Sequence, residues 1–130
     1  MPYTLDETVD GAFDDVVART EAALADEEFG VLCDIDIQAA FAEKLDVEFR
    51  QYRILGACNP AFAKQALEEE LRLGALLPCN VIVYETDGGN VGVSAVDPGK
   101  LLSVVDNPEL DAVADDVRER FERVLDELAA

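Results

Sequence analysis

The segment from Asn80 to Thr86 constrains the fold most, because it reads as a strand without a polar face: Val81 and Val83 lie on one side, Ile82 and Tyr84 on the other. Both sides of such a strand need cover. Asp87, Gly88, Gly89 and Asn90 follow as a tight turn, and Val91 to Val96 returns as the second arm of a hairpin. Two amphipathic helices are available to cover it. After the start signal Asn107-Pro108, Leu110, Val113, Ala114, Val117, Phe121, Val124, Leu125 and Leu128 form one apolar stripe, which predicts a long helix over one face of the sheet. Near the N-terminus, Phe13, Val16, Val17, Thr20, Ala23 and Leu24 recur at helical spacing, with Thr8 or Asp10 as the cap and Gly30 placed to end the helix.

The intervening chain alternates between strand and helix patterns. Val31 to Ile37 alternates strictly, with Val31, Cys33, Ile35 and Ile37 on one face against Leu32, Asp34 and Asp36, and reads as a half-buried strand. Gln38 to Leu45, carrying Phe41 and Leu45 four apart, reads as a short helix capped by Asp36 or its neighbours. Gln51 to Cys58 is a further strand. Asn59-Pro60 starts another helix, since the Asn side chain accepts an orphaned amide and proline presets φ, and this helix runs to Gly74. A turn at Asp97, Pro98 and Gly99 leads into a short helical stretch ending near Val105. No linker, low-complexity tract or repeat interrupts the pattern, so residues 1–130 are expected to form one α+β domain, a small antiparallel sheet backed by helices.

Histidine is absent, which removes the usual general base at neutral pH, the Ser-His-Asp triad and histidine metal sites together. Twenty-nine acidic residues against ten basic ones give a net charge of -19, and only Lys44, Lys64 and Lys100 are lysines. Such a surface repels itself in dilute buffer, whereas at ~1 M salt the Debye length falls to ~3 Å and the repulsion is screened. A halophile's cytoplasm suits it. Nucleic acid is not expected as a partner, because Arg50 and Arg53, the nearest approach to a basic stripe, are flanked by Asp46 and Glu48. No apolar run approaches the ~18 to 20 residues of a membrane span. The start Met1 to Glu7 lacks the basic and apolar regions of a signal peptide, so a cytoplasmic chain without membrane contact is expected.

Three stretches carry a family likeness: Tyr52-Arg53-Ile54-Leu55-Gly56-Ala57-Cys58-Asn59-Pro60, then Gly74-Ala75-Leu76-Leu77-Pro78-Cys79-Asn80-Val81-Ile82-Val83-Tyr84-Glu85, then the glycine turn. Together they resemble the domain of unknown function 302 family over nearly the whole chain. The resemblance implies an antiparallel sheet backed by helices, similar to the TATA-binding-protein-like fold, and members that tend to be homodimers. It implies no established activity, and fold likeness to a DNA-binding architecture carries no function with it.

The family pattern draws attention to Cys58, Asn59, Cys79 and Asn80. Cys58 ends a strand just before the Asn59 cap, where the partial positive charge of a helix N-terminus stabilises a thiolate. Cys79 opens the next strand, so antiparallel pairing would bring the two sulfurs within ~7 Å, with Cys33 apart from them. Such a pair could cycle between dithiol and disulfide or offer two soft ligands to copper(I), although both cysteines also fit the ordinary role of small buried residues. No Cys-x-x-Cys or histidine completes a structural zinc site, and no cofactor is specified. Arg53, or Lys64, together with the amides after Asn59 could hold a small anion. Asp34 and Asp36 read as solvated surface rather than a cation site.

Two functional classes follow. One is a non-enzymatic homodimeric module binding a small molecule or soft metal ion near Cys58, Asn59, Cys79, Asn80 and Arg53. The other is a thiol enzyme or redox protein using Cys58 and Cys79. The homodimer also follows from counting faces, since Asn80 to Thr86 is apolar on both sides and a monomer would expose what its helices leave uncovered.

Overall fold

The structure, a computed structural model, describes residues 2–129. Strands β1 (Thr4–Val9), β2 (Gly30–Asp36), β3 (Tyr52–Cys58), β4 (Cys79–Glu85) and β5 (Val91–Val96) form one sheet in the order β1-β5-β4-β3-β2, and every neighbouring pair is antiparallel. The helices are α1 (Phe13–Asp26), α2 (Ile37–Leu45), α3 (Pro60–Glu69), α4 (Pro98–Ser103) and α5 (Asp111–Ala129), with 3-10 turns at Leu71–Leu76 and Pro108–Leu110. This is the expected α+β class. The likeness to the TATA-binding-protein-like arrangement remains an expectation of the family resemblance.

The hairpin forms as its turn residues predict: Thr86 N–H donates to the Asn90 carbonyl at 2.9 Å, and Gly89 takes a φ of 84° that favours glycine. Alternation then sorts the sheet into two faces. On one, Leu55, Val81, Val83, Val93 and Ala95 are buried. Helices α1 and α5 pack against this sheet and each other, and the predicted stripe of α5 from Val113 to Leu128 is buried throughout. Phe121 anchors this layer, fully buried with its ring centroid 4.9 Å from that of Phe29.

On the opposite face Ile54 pairs with Ile82 and Tyr52 with Tyr84, and Tyr84 lies against Gly92. A Cβ at Gly92 would sit 2.6 Å from Tyr84 Cζ, so only glycine lets the ring cross the neighbouring strand. Short helix α2 packs on β3, where Phe41, Phe49, Tyr52 and Tyr84 follow one another with ring centroids 5.0, 6.2 and 5.9 Å apart. Helix α4 packs instead on α5. Ile35 and Phe49 consequently stay exposed, at 45% and 40%.

Several local expectations are corrected. Thr8 does not cap α1, because it is paired with Gly92 in β1; nor does Asp10, and the cap position is Ala12, without a side-chain bond. Gly30 does not end that helix either. The chain turns at Glu28, with φ 69°, and Phe29 N–H returns to the Leu24 carbonyl at 2.9 Å, leaving Gly30 to open β2. Strand β2 lies at the sheet edge and is mostly exposed rather than half-buried. A bulge between Val31 and Cys33 inserts Leu32, so Val31 pairs with Ala57 on the helix-covered face while Cys33 and Ile35 pair with Gly56 and Ile54 on the other. The expected single apolar face from Val31 to Ile37 is thereby split, and Ile37 belongs to α2. Asp36 caps α2 as expected, accepting from Ala39 N–H at 2.9 Å. Helix α3 stops at Glu69 rather than Gly74, because Leu73 turns inward from the 3-10 segment to meet Ala66 and Leu110 in a second apolar cluster.

Candidate functional site

Two apolar clusters meet imperfectly at the end of the sheet where β3 leaves for α3 and β4 begins. The larger contains Ala57, Val81, Val113, Val117 and Phe121, and the smaller Ala66, Leu73 and Leu110. Between them lies a cavity of about 320 Å³, walled by α3 residues Phe62, Ala63, Ala66 and Leu67, by Leu73 and Leu77, by Leu102, and by Val113 and Val117 of α5. Cys58, Asn59, Pro78 and Cys79 complete the wall at the strand ends. Among the described residues no Lys, Arg, Asp or Glu lines it. Its volume falls in the range of small-molecule sites, and a cavity with so apolar a wall holds water poorly.

Each polar group at the site is there for a local reason. Asn59 caps α3, its Oδ1 accepting from Ala61 N–H at 3.1 Å and Phe62 N–H at 3.3 Å, and Pro60 fills the first helical position. These amides, offered above as part of an anion site, are thus already bonded to the cap. Cys79 pairs in register with Ala57, the neighbour of Cys58, so antiparallel pairing brings both cysteines to one cavity. Neither is in a disulfide.

The expected stabilised thiolate is corrected. Burial pushes the Cys58 thiol above its usual pKa, and burial, reinforced by the neighbouring Cys58, pushes Cys79 up to about 11. Loss of hydration is the largest influence on both thiols. Both thiols stay protonated near neutral pH. Alkylation by iodoacetamide at pH 8 should modify exposed Cys33 first and Cys79 last, with the Cys79 rate climbing towards pH 11. Because the folded pKa of Cys79 lies above its ordinary 9.0, the unfolded chain ionises first, and its stability contribution is lost as pH rises through about 11. Rapid labelling of Cys79 at neutral pH in the folded protein would contradict this.

Three sequence candidates, Arg53, Asn80 and Lys64, lie outside the cavity wall. Arg53 stands five residues before Cys58 on β3, about 17 Å away at ordinary strand rise, and forms a two-pronged ion pair with Asp34. That bond, strengthened by charge, raises the Arg53 pKa and commits the guanidinium. Asn80 pairs with Gly56 on the opposite face of the sheet, is exposed, and is not part of the cavity wall. Lys64 points out to Glu68 at 2.7 Å. Among the described residues no three Cys, Asp or Glu gather as a metal site.

Sequence reading missed the hydrophobic part of the wall. Leu67 and Leu73 belong to the stretch read as one helix to Gly74, and Leu77 lies just beyond it; Leu73, Leu76 and Leu77 keep the helical spacing of Phe62 and Ala66, so the pattern gives no sign that the helix ends at Glu69.

The family model described as "Domain of unknown function DUF302" matches residues 5–128. The crystal structure of an uncharacterized conserved protein DUF302 from Bacillus stearothermophilus is similar throughout, with a TM-score of 0.91, 29% sequence identity, and cover of 98% of this chain and 99% of that one. Among curated proteins none matches the chain.

Proposed function

From the premise that this chain belongs to the DUF302 family, we propose that it is a homodimeric, non-enzymatic binding module for salt-rich surroundings, which takes a small apolar molecule into the cavity beside Cys58, Asn59 and Cys79. The observation that carries this is the cavity itself: about 320 Å³ of space with an apolar wall, held open between two hydrophobic clusters that would otherwise close on it. The two thiols on the wall, raised above their ordinary pKa by burial, favour binding over thiol chemistry near neutral pH.

A neutral fluorescent probe, N-phenyl-1-naphthylamine, tests the site. Titrated in molar potassium chloride, it should bind in about a one-to-one ratio with the chain, and Ala63→Trp should reduce that binding by ~10-fold or more by filling the space while keeping α3 intact. Undiminished binding in a folded Ala63→Trp variant would place the probe elsewhere and refute the cavity as its site.

The dimer reading rests on the second sheet face, where short helix α2 packs on β3 but leaves Ile35 and Phe49 exposed and Tyr52, Ile54, Ile82 and Tyr84 only half-buried. A two-fold partner burying on the order of 800 Å² per chain would cover it. Light scattering in molar salt should give twice 14.1 kDa, and Ile82→Lys should return the mass to 14.1 kDa. A wild-type monomer at micromolar concentration would refute the dimer without touching the cavity.

A further inference from the structure

Resting on that apolar site, we propose that its ligand is an uncharged molecule carrying a hydrogen-bond acceptor, of the ketone or ester class, received by the side-chain Nδ2 of Asn59. The cap fixes which end of this amide is which, since only the oxygen can accept from Ala61 and Phe62 N–H. The nitrogen is thereby turned away from α3, and among the described residues it has no hydrogen-bond partner. Asn59 is 7% exposed, yet among the described residues no side-chain nitrogen or oxygen is both enclosed and unpaired. The Nδ2 is therefore not enclosed by protein, and the cavity, which Asn59 lines, is the space in which we place it. A donor in an apolar wall, without an acceptor, marks where a ligand oxygen gains most.

The surroundings select the rest of the ligand. An anion such as a fatty-acid carboxylate meets no cation on the wall, inside a chain of net charge -19. The nearby Arg120 is spent, donating to the Glu27 carbonyl at 2.9 Å, pairing with Asp116 and lying 5.1 Å over the Phe62 ring. A cation fares no better, because no carboxylate lines the site and the Arg120 guanidinium already occupies one face of that ring. An alcohol would bring a donor of its own, while the Oδ1 that could receive it already accepts two amides. An acceptor without a donor or a charge matches the wall.

Displacement of N-phenyl-1-naphthylamine by compounds of equal chain length, 2-nonanone, nonane, 1-nonanol and nonanoate, tests this at pH 8 in molar potassium chloride. Asn59→Asp retains an oxygen to cap α3 and replaces the amide donor by a carboxylate. In that variant 2-nonanone should bind about 2- to 10-fold more weakly while nonane is unchanged. Asn59→Ser, whose hydroxyl also caps a helix, gives the same comparison if the first variant does not fold, and if neither folds the wild-type order of 2-nonanone ahead of 1-nonanol and nonanoate decides. Equal effects on 2-nonanone and nonane, or nonanoate displacing the probe as well as the ketone, would overturn the ligand class and leave the apolar site standing. A probe that never binds the wild type would overturn the site and this inference together.

Discussion

Phe121→Ala should lower the unfolding free energy by about 3–5 kcal/mol, enough to shift the melting temperature by on the order of 10–20 °C in a domain of this size. The side chain is fully enclosed, its ring packed at a tilt against that of Phe29 within the larger apolar cluster, so its removal forfeits transfer energy and leaves a hole in that cluster. Phe121→Leu keeps most of the volume and should cost much less. Denaturant titration of both variants in molar salt measures the difference. A loss below ~1 kcal/mol for the alanine variant would mean that α5 does not hold the sheet in the way described.

Salt should matter nearly as much. Ion pairs engage Glu27, Asp34, Glu68, Asp87, Asp97, Asp116 and Glu122, and among the described residues most of the other carboxylates have no cationic neighbour within reach. Three of these pairs, Arg50–Asp87, Lys64–Glu68 and Arg118–Glu122, are exposed on both sides and offset little of the repulsion. Raising potassium chloride from millimolar to molar should therefore raise the melting temperature by on the order of 10 °C, as the Debye length contracts from tens of ångströms to ~3 Å. Sodium sulfate at matched ionic strength should act in the same direction and add its own strengthening of apolar burial. Equal melting temperatures across that range would remove the reading of a chain adapted to salt.

Those two predictions rest on features of different legibility. The stripe of α5 and the glycine hairpin were readable because a period of 3.6 over nineteen residues, or a Gly-Gly turn between alternating apolar runs, admits few alternatives. The pairing of Cys58 with the cap at Asn59, and of Cys79 with the start of β4, was readable for the same local reason, since strand ends and caps leave marks in sequence. What could not be read was decided at a distance. The bulge at Leu32 depends on how β2 meets β3 at an edge, and it moves Cys33 to the opposite face from Val31. The early end of α3 depends on Leu73 finding Leu110 far along the chain. Arg53 looked free because its partner Asp34 lies across the sheet, nineteen residues earlier. The thiol pKa values invert the sequence expectation because burial is a property of the packed chain, whereas the helix-end field that favours a thiolate is visible locally. The cavity is of the same kind, a gap between two clusters that no single segment announces.

The most direct test of the binding-site account is an anomalous-scattering experiment on crystals grown from molar potassium chloride and soaked with bromobenzene, a neutral apolar compound small enough for a 320 Å³ space. A bromine peak is expected between α3 and α5, within van der Waals reach of Phe62, Leu67 and Val117, with no such peak in Ala63→Trp crystals. Bromine confined to the aromatic sheet face around Tyr52 and Tyr84, with the space beside Cys58 and Cys79 empty, would contradict it.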